Sequence, residues 1–356
     1  MSKTLVMQEG FSADPPHPGW IHSPPFDLSF LILSPLAGFG LALLAMQYSS
    51  AGPAVMFVGA YLFGIPHYLA SFAFFLGDEN REHARRLWFL FYATPLAICA
   101  CVAVFYTLAA AVVVHAVLFV WNIYHVAGQS SGVLSLYRRL SGGAQAERSL
   151  AYAMILFSNS AMALWNVEGF APLRDPLVAL NPALPQVAFY ACVALAIGFG
   201  AGYARQLRRR GFPLSVGEAC SLGTAILIFT PYLWIADMNF ATLTMLVGHF
   251  IQYLAIVWLL NRRKYSVASG SAAQRWLARM GRSWTTPATF IVLSGSLFFL
   301  FERATQVLSV YMGFMIIFNS LALVHFYLDG LIWAFRTPYI RRTVGPFLTL
   351  DASRLR

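Results

Sequence analysis

Charge is what this chain has least of: Asp, Glu, Lys and Arg make up 11% of its 356 residues, against 59% hydrophobic. Soluble domains carry about 25% charged residues, so a water-soluble globule of this size is excluded. Cysteine is also scarce. Cys99, Cys101, Cys192 and Cys220 form no CxxC pair and fall in or beside apolar runs. That spacing indicates neither a zinc-thiolate site nor a disulfide framework, and leaves them as small packing residues. A phosphate-binding loop is missing too. The GFGAG at Gly198–Gly202 ends an apolar run, with no strand before it and no GK[ST] after it, and close helix packing accounts for it. No Ser-His-Asp or Cys-His arrangement can be argued. No basic segment leads into an apolar core at the start, so no cleavable signal peptide is expected. No repeat period of about 20–50 residues stands out, nor an inverted repeat of the transporter kind.

What the chain does have is apolar length. Its mean hydropathy is +0.64, and crossing a bilayer takes about 20 apolar residues. Ten runs qualify: 26–48, 53–76, 87–107, 109–137, 149–167, 185–203, 215–236, 240–260, 287–301 and 305–335. The expected fold class is all-α, a polytopic membrane helical bundle of about ten spans. Residues 1–25 form a proline-rich tail, 26–336 the transmembrane domain and 337–356 a basic tail. The longest polar connections are 261–286 and 168–184.

The net charge of +10 invites a nucleic-acid partner, but its placement argues against one. Numbering the ten spans in order, all but two of the 24 Lys and Arg residues fall on one side of the membrane; the exceptions are Arg174 and Arg303. Basic residues concentrate in cytoplasmic loops, so both termini are expected in the cytoplasm, at the inner membrane of a bacterium. The basic clusters then serve as topology anchors that also attract lipid headgroups.

Ionisable side chains inside a bilayer are costly and usually functional. His67, His125, His249 and His325 lie in four different even-numbered runs, each 11 to 14 residues before a basic residue (Arg81, Arg138, Arg262 and Arg336). At about 1.5 Å of rise per residue the four imidazoles share one depth, roughly 16–21 Å from those anchors. Four at one level point to a single metal or haem site. His115 precedes His125 by ten residues, about 15 Å away along a helix, and is left out of the cluster. His83 stands among Arg81, Arg85 and Arg86 and reads as interfacial. His17 and His22, in the proline-rich tail, are weak metal candidates.

Each of the four has a polar neighbour one helical turn away on its own helix: Ser71 for His67, Asn122 and Gln129 for His125, Gln252 and Tyr253 for His249, and Asp329 for His325. A metal-bound imidazole needs its second ring nitrogen satisfied, and these residues are candidates for that role. Asp329, Gln129 and Gln252 are the candidate catalytic residues. Asn122, Tyr253 and Tyr124 are candidates for substrate contact. Asn159, Asn319 and Glu218 are read as packing or lining groups. Four neutral imidazoles without thiolates suit Fe(II), with Cu or Zn as alternatives. A site walled by apolar helices is reached most readily by a lipid-soluble molecule, so oxygenation of such a substrate by dioxygen is the favoured reaction class. A b-type haem electron carrier and a proton-coupled transporter relaying through the histidines and Asp329 are the alternatives.

The FGIPH at Phe63–His67 and the YHVAG at Tyr124–Gly128 resemble motifs of the bacterial and archaeal membrane β-carotene dioxygenases of the Brp/Blh type. The resemblance implies a multi-helix membrane enzyme that uses histidine-bound iron to cleave β-carotene to retinal, with His67 and His125 as iron ligands. That family carries an HxxxH pair late in the chain, which is absent here. His249 and His325 would supply those ligands from separate helices.

Overall fold

The computed structural model describes residues 19–141, 145–211, 214–265 and 271–349. His17, most of the proline-rich tail and the end of the basic tail lie outside the described residues. Among the described residues the regular structure is helical throughout, with no strand. We label the long segments in chain order: α1 (Pro24–Ile32 with Ser34–Gln47), α2 (Ser49–Leu76), α3 (Phe89–Thr107), α4 (Ala111–Leu140), α5 (Gln145–Trp165), α6 (Leu184–Arg210), α7 (Val216–Trp234), α8 (Met238–Lys264), α9 (Thr285–Val307) and α10 (Tyr311–Ile332).

Eight of these are long and apolar enough to cross a membrane, and α1, bent by 49°, would make a ninth. Helix α5, which corresponds to the run 149–167, is not among the eight. Glu147 and Arg148 in its first turn and Ser158, Asn159 and Ser160 in its middle lower its apolarity. The last two runs also divide differently from expectation. Both become full-length helices, because the chain turns at Leu308–Val310.

The burial pattern separates centre from rim. In α8, 72% of the apolar window is buried, against 11% in α3 and α9 and 6% in α6. Helix α8 is therefore the axis of the bundle, and the others present Leu, Val, Ile and Phe outward. Val307 (84% exposed) and Leu96 (70%) are examples of an apolar periphery that a soluble protein does not carry. The architecture is that of a multi-pass membrane protein. Glycines bring α1 against α8. A Cβ on Gly38 would stand 2.1 Å from the Thr244 carbonyl oxygen, and one on Gly248 would stand 2.8 Å from Pro35 Cα. Where lipid is as apolar as leucine, such close backbone approach is what drives association.

A duplication that the sequence did not reveal is plain in the order of elements. Helix α2, the short amphipathic helix Asp78–Arg86, α3, a tight turn and α4 are matched by α8, the amphipathic helix Ala272–Arg282, α9, a tight turn and α10. Both turns place a non-glycine residue in the left-handed region, Ala109 at φ 56° and Ser309 at φ 57°. In each, the next amide closes the helix end, Ala110 N–H to Phe105 O at 2.8 Å and Val310 N–H to Thr305 O at 2.9 Å. His125 and His325 each follow their turn residue by 16 positions. One three-helix pattern thus supplies two histidines and is used twice.

The basic ends of α4, α5, α6 and α7 are tied by a buried charge cluster. Arg138 contacts Glu147 directly, and Arg210 Nη1 lies 3.4 Å from both Glu147 and Glu218. Glu218 also completes a capping box with Ser215 at the start of α7, which satisfies amides the helix itself cannot pair. Two arginines against two glutamates balance the charge, so these predicted anchors are as much structural clamps as topology signals. Arg263 does comparable work on α8, donating to the carbonyls of Ile21, Phe347 and Leu348.

Candidate metal centre

Local sequence aims each histidine inward. On α2, Pro66 has no N–H and its ring crowds the carbonyl one turn earlier. The preceding Phe57–Gly64 widens to π-helical geometry, and α-helix resumes at Ile65. Such widened turns recur at functional positions. Gly59 and Gly64 lie against Leu243 and Phe250 of α8, which seats His67 directly beside His249. His249 follows Gly248, the residue at which α1 meets α8.

The four imidazoles lie close together. Ring centroids are 4.7 Å apart for His67 and His249, 4.3 Å for His67 and His325, 5.0 Å for His125 with either His249 or His325, and 6.3 Å for His67 and His125. Their potential ligand atoms fall into two overlapping groups, each within 4.8 Å: His67, His125 and His249, and His125, His325 and Asp329. His125 belongs to both. Its Nε2 lies 3.3 Å from Nε2 of His325. Two imidazole nitrogens on one ion at about 2.0–2.1 Å stand about 2.8–3.4 Å apart, from right-angled to tetrahedral geometry, so this pair already has ligand spacing.

His325 is held by a network that spans three helices. Ser71 Oγ on α2 donates to Asp329 Oδ1 at 2.7 Å, and Tyr253 OH on α8 donates to the same oxygen at 2.7 Å. With its proton on the carboxylate, Ser71 Oγ accepts from Nδ1 of His325, also at 2.7 Å. That fixes the Nδ1–H tautomer and leaves the Nε2 lone pair aimed at His125. A ring oriented through its second nitrogen is what metal ligation requires. Trp333 Nε1 adds a 3.4 Å contact to Tyr253 OH.

His67 and His249 are the opposite case. They are 0% and 1% exposed, yet neither nitrogen of either ring has a hydrogen-bond partner among the described residues. A buried polar atom without a partner costs about 1–3 kcal/mol. Four such atoms approach the whole net stability of a protein, about 5–15 kcal/mol. Coordination to a cation would relieve one atom per ring. The donor set, imidazoles and one carboxylate without sulfur, fits a borderline transition metal.

Several sequence expectations are corrected here. Polar partners do act, but mainly across helices and not within them. Ser71 serves His325 instead of His67. Gln129 reaches the backbone carbonyl of His249 at 3.3 Å, and Gln252 donates to the Leu31 carbonyl at 2.6 Å; both fasten helices, and among the described residues neither hydrogen-bonds an imidazole ring. Tyr124 is 57% exposed and packs on Tyr152 at the rim, away from the centre. Asn122 is buried, its Oδ1 without a partner among the described residues. Only Asp329 keeps the anticipated relation, with Oδ2 3.8 Å from Nε2 of the histidine one turn before it. His115 pairs with Tyr106, which also takes the Asn319 amide. His83 stacks on Tyr339, and His22 packs against Phe26 and Trp258. None of these three joins the cluster.

Comparison with protein-family models, with curated proteins and with solved structures gives no match. The reading of the centre therefore stands on its geometry.

Proposed function

We propose that this is a membrane-embedded, histidine-ligated metal enzyme, a non-haem iron oxygenase acting on an apolar, lipid-soluble substrate. The observation that carries the reading is the pair of fully buried, unpartnered imidazoles of His67 and His249 beside His125 and a tautomer-fixed His325. Fe(II) is the preferred ion, because insertion of oxygen into an unactivated hydrocarbon needs the redox activation of dioxygen that iron supplies; Cu and Zn fit the same donors. His67, His125, His249 and His325 would hold it, with Asp329 in reach as a fifth donor or a proton acceptor. Ser71, Asp329 and Tyr253 keep the His325 lone pair presented. The rings of Phe250 and Phe326, 4.7 Å from His67 and 4.6 Å from His125, exclude bulk water. With the basic side cytoplasmic, the centre would lie within the bilayer of a bacterial inner membrane, both termini inside.

A haem needs a flat slot between two imidazoles. Here the rings touch one another and the surrounding aromatics, which favours a bare ion over a macrocycle. The test is elemental analysis with an absorption spectrum on detergent-purified protein. The expected result is about one transition-metal ion per chain, no Soret band, and loss of the ion on replacing any of the four histidines with alanine. A metal-free protein that takes up no ion, or a Soret band, overturns the proposal.

A further inference from the structure

Beside the centre lies a second feature that the histidines do not explain. A chamber of about 340 Å³ opens between α2, α8, α9 and the amphipathic helix Ala272–Arg282. Among its lining residues the one polar side chain apart from indole N–H groups is Asn261, and three tryptophans, Trp258, Trp276 and Trp284, share the lining. An apolar cavity of about 150 Å³ holds benzene, so this one has room for roughly a dozen carbon atoms. Its lining on α8 runs from Ile251 to Asn261, about 15 Å along the helix axis. That is about half the ~30 Å hydrocarbon core, one leaflet deep. The 340 Å³ volume over that length gives a mean cross-section of about 23 Å², enough for a single extended chain.

We propose that the chamber binds the hydrocarbon chain of a single-chain membrane amphiphile, the head at the basic face and the chain running inward to the depth of the histidines. Resting on the metal-centre reading for its chemical meaning, it names the substrate class of that site. Two observations orient the occupant. Tryptophan and arginine favour the interface, and the Arg262 guanidinium sits 5.3 Å over the Trp258 ring beside Asn261, while Trp258 and Trp284 stack at 4.2 Å. At the other end Leu69 and Ile251 line the chamber two residues beyond His67 and His249. The chamber also shares wall with the centre's support. Ala70, Ala73, Val257 and Asn261 line both it and a void of about 40 Å³ that touches Tyr253 and Trp333. Two alanines, the smallest side chains available there, form the partition on α2.

Three lining tryptophans provide a readout independent of metal and turnover. The protein, purified in a rigid steroid-based detergent, is titrated with alkyl carboxylates brominated on the carbons next to the carboxylate, in a series of chain lengths. Tryptophan emission should be quenched saturably at one ligand per chain. Affinity should rise about fourfold per added methylene and level off near a dozen carbons. Leucine at Ala73 and Ala255, growing into the empty space, should weaken quenching at least tenfold and leave metal content unchanged. Unsaturable quenching, or affinity that keeps climbing well past a dozen carbons, overturns the chamber assignment whether or not the leucine variants fold. Saturable quenching in a protein that takes up no metal would instead uphold the chamber and refute the metal centre.

Discussion

Replacing His67 with phenylalanine should move stability in opposite directions with and without metal. In the metal-free protein the imidazole brings two buried nitrogens with no partner among the described residues, a cost of about 2–6 kcal/mol at 1–3 per atom. Phenylalanine removes both. It is slightly larger, in a pocket whose neighbouring rings lie 4.3–4.7 Å from the His67 centroid, and overpacking of that kind costs about 1–3 kcal/mol. The balance is a gain of roughly 1–3 kcal/mol. With metal present the sign reverses, because the variant loses a ligand and with it the linkage stabilisation, about 4.1 kcal/mol at a metal concentration a thousand times Kd. Thermal unfolding in detergent, with chelator and then with Fe(II) under anaerobic conditions, measures both arms. His325→Phe is the contrast. It breaks the 2.7 Å bond to Ser71 and should destabilise the protein in both conditions. If His67→Phe lowers the melting temperature equally with and without metal, the His67 nitrogens are satisfied in some other way and the orphaned-imidazole reasoning fails.

Ser71→Ala keeps all four imidazoles and removes only the hydroxyl between His325 and Asp329; metal titration should show affinity reduced about tenfold to a hundredfold, with the fold retained by circular dichroism. Gly248→Leu must drive a side chain into Pro35, whose Cα stands 2.8 Å from the position of a Cβ. Its folded, monodisperse yield by size exclusion should collapse, with Gly248→Ala intermediate. Arg138→Met strands the buried Glu147 beside Arg210 and should cost about 3–5 kcal/mol in chemical unfolding, with no change in metal bound per folded chain. An unchanged midpoint would mean that the cluster does not clamp the helix ends.

The depth argument was legible because it needs only helical rise and one basic anchor per run, and the convergence of His67, His125, His249 and His325 follows from four parallel helices at one level. The class of fold was legible for the same reason, since apolar run length is a one-dimensional property. What the sequence hid is what depends on rotation about each helix axis. Tyr124 sits one residue before His125, and a step of one residue turns about 100°, enough to carry it from the centre to the rim. Gln129 and Gln252 stand at ligand-like spacing but reach carbonyls of neighbouring backbone. No spacing rule distinguishes that from ring contact. The duplication escaped because its main shared signal is a turn geometry, carried by alanine in one copy and serine in the other, and a histidine 16 positions on is too little in common to show as a repeat.

The two halves of the centre are built by unequal means, and the inequality has a physical cause. His325 has its partner four residues on, and its network is completed by Ser71 and Tyr253 from α2 and α8, so its ring is oriented before any ion arrives. His67 and His249 sit where proline, a widened turn and glycines have been spent on bringing α2 and α8 close together, and that closeness leaves no room for a hydrogen-bonding group at their rings. A pre-oriented pair, His125 and His325 at 3.3 Å, faces a pair, His67 and His249, whose ring nitrogens have no hydrogen-bond partner among the described residues. Metal binding would then do for α2 and α8 what the Arg138–Glu147–Arg210–Glu218 cluster does for α4 to α7, locking helices that small residues alone hold together. On this argument chelation should loosen α2 and α8 selectively. Hydrogen exchange should rise around Ile65–Phe72 and Val247–Tyr253 and stay level around Arg138 and Glu218. Uniform loosening of the bundle, or none, would detach the centre from the packing that surrounds it.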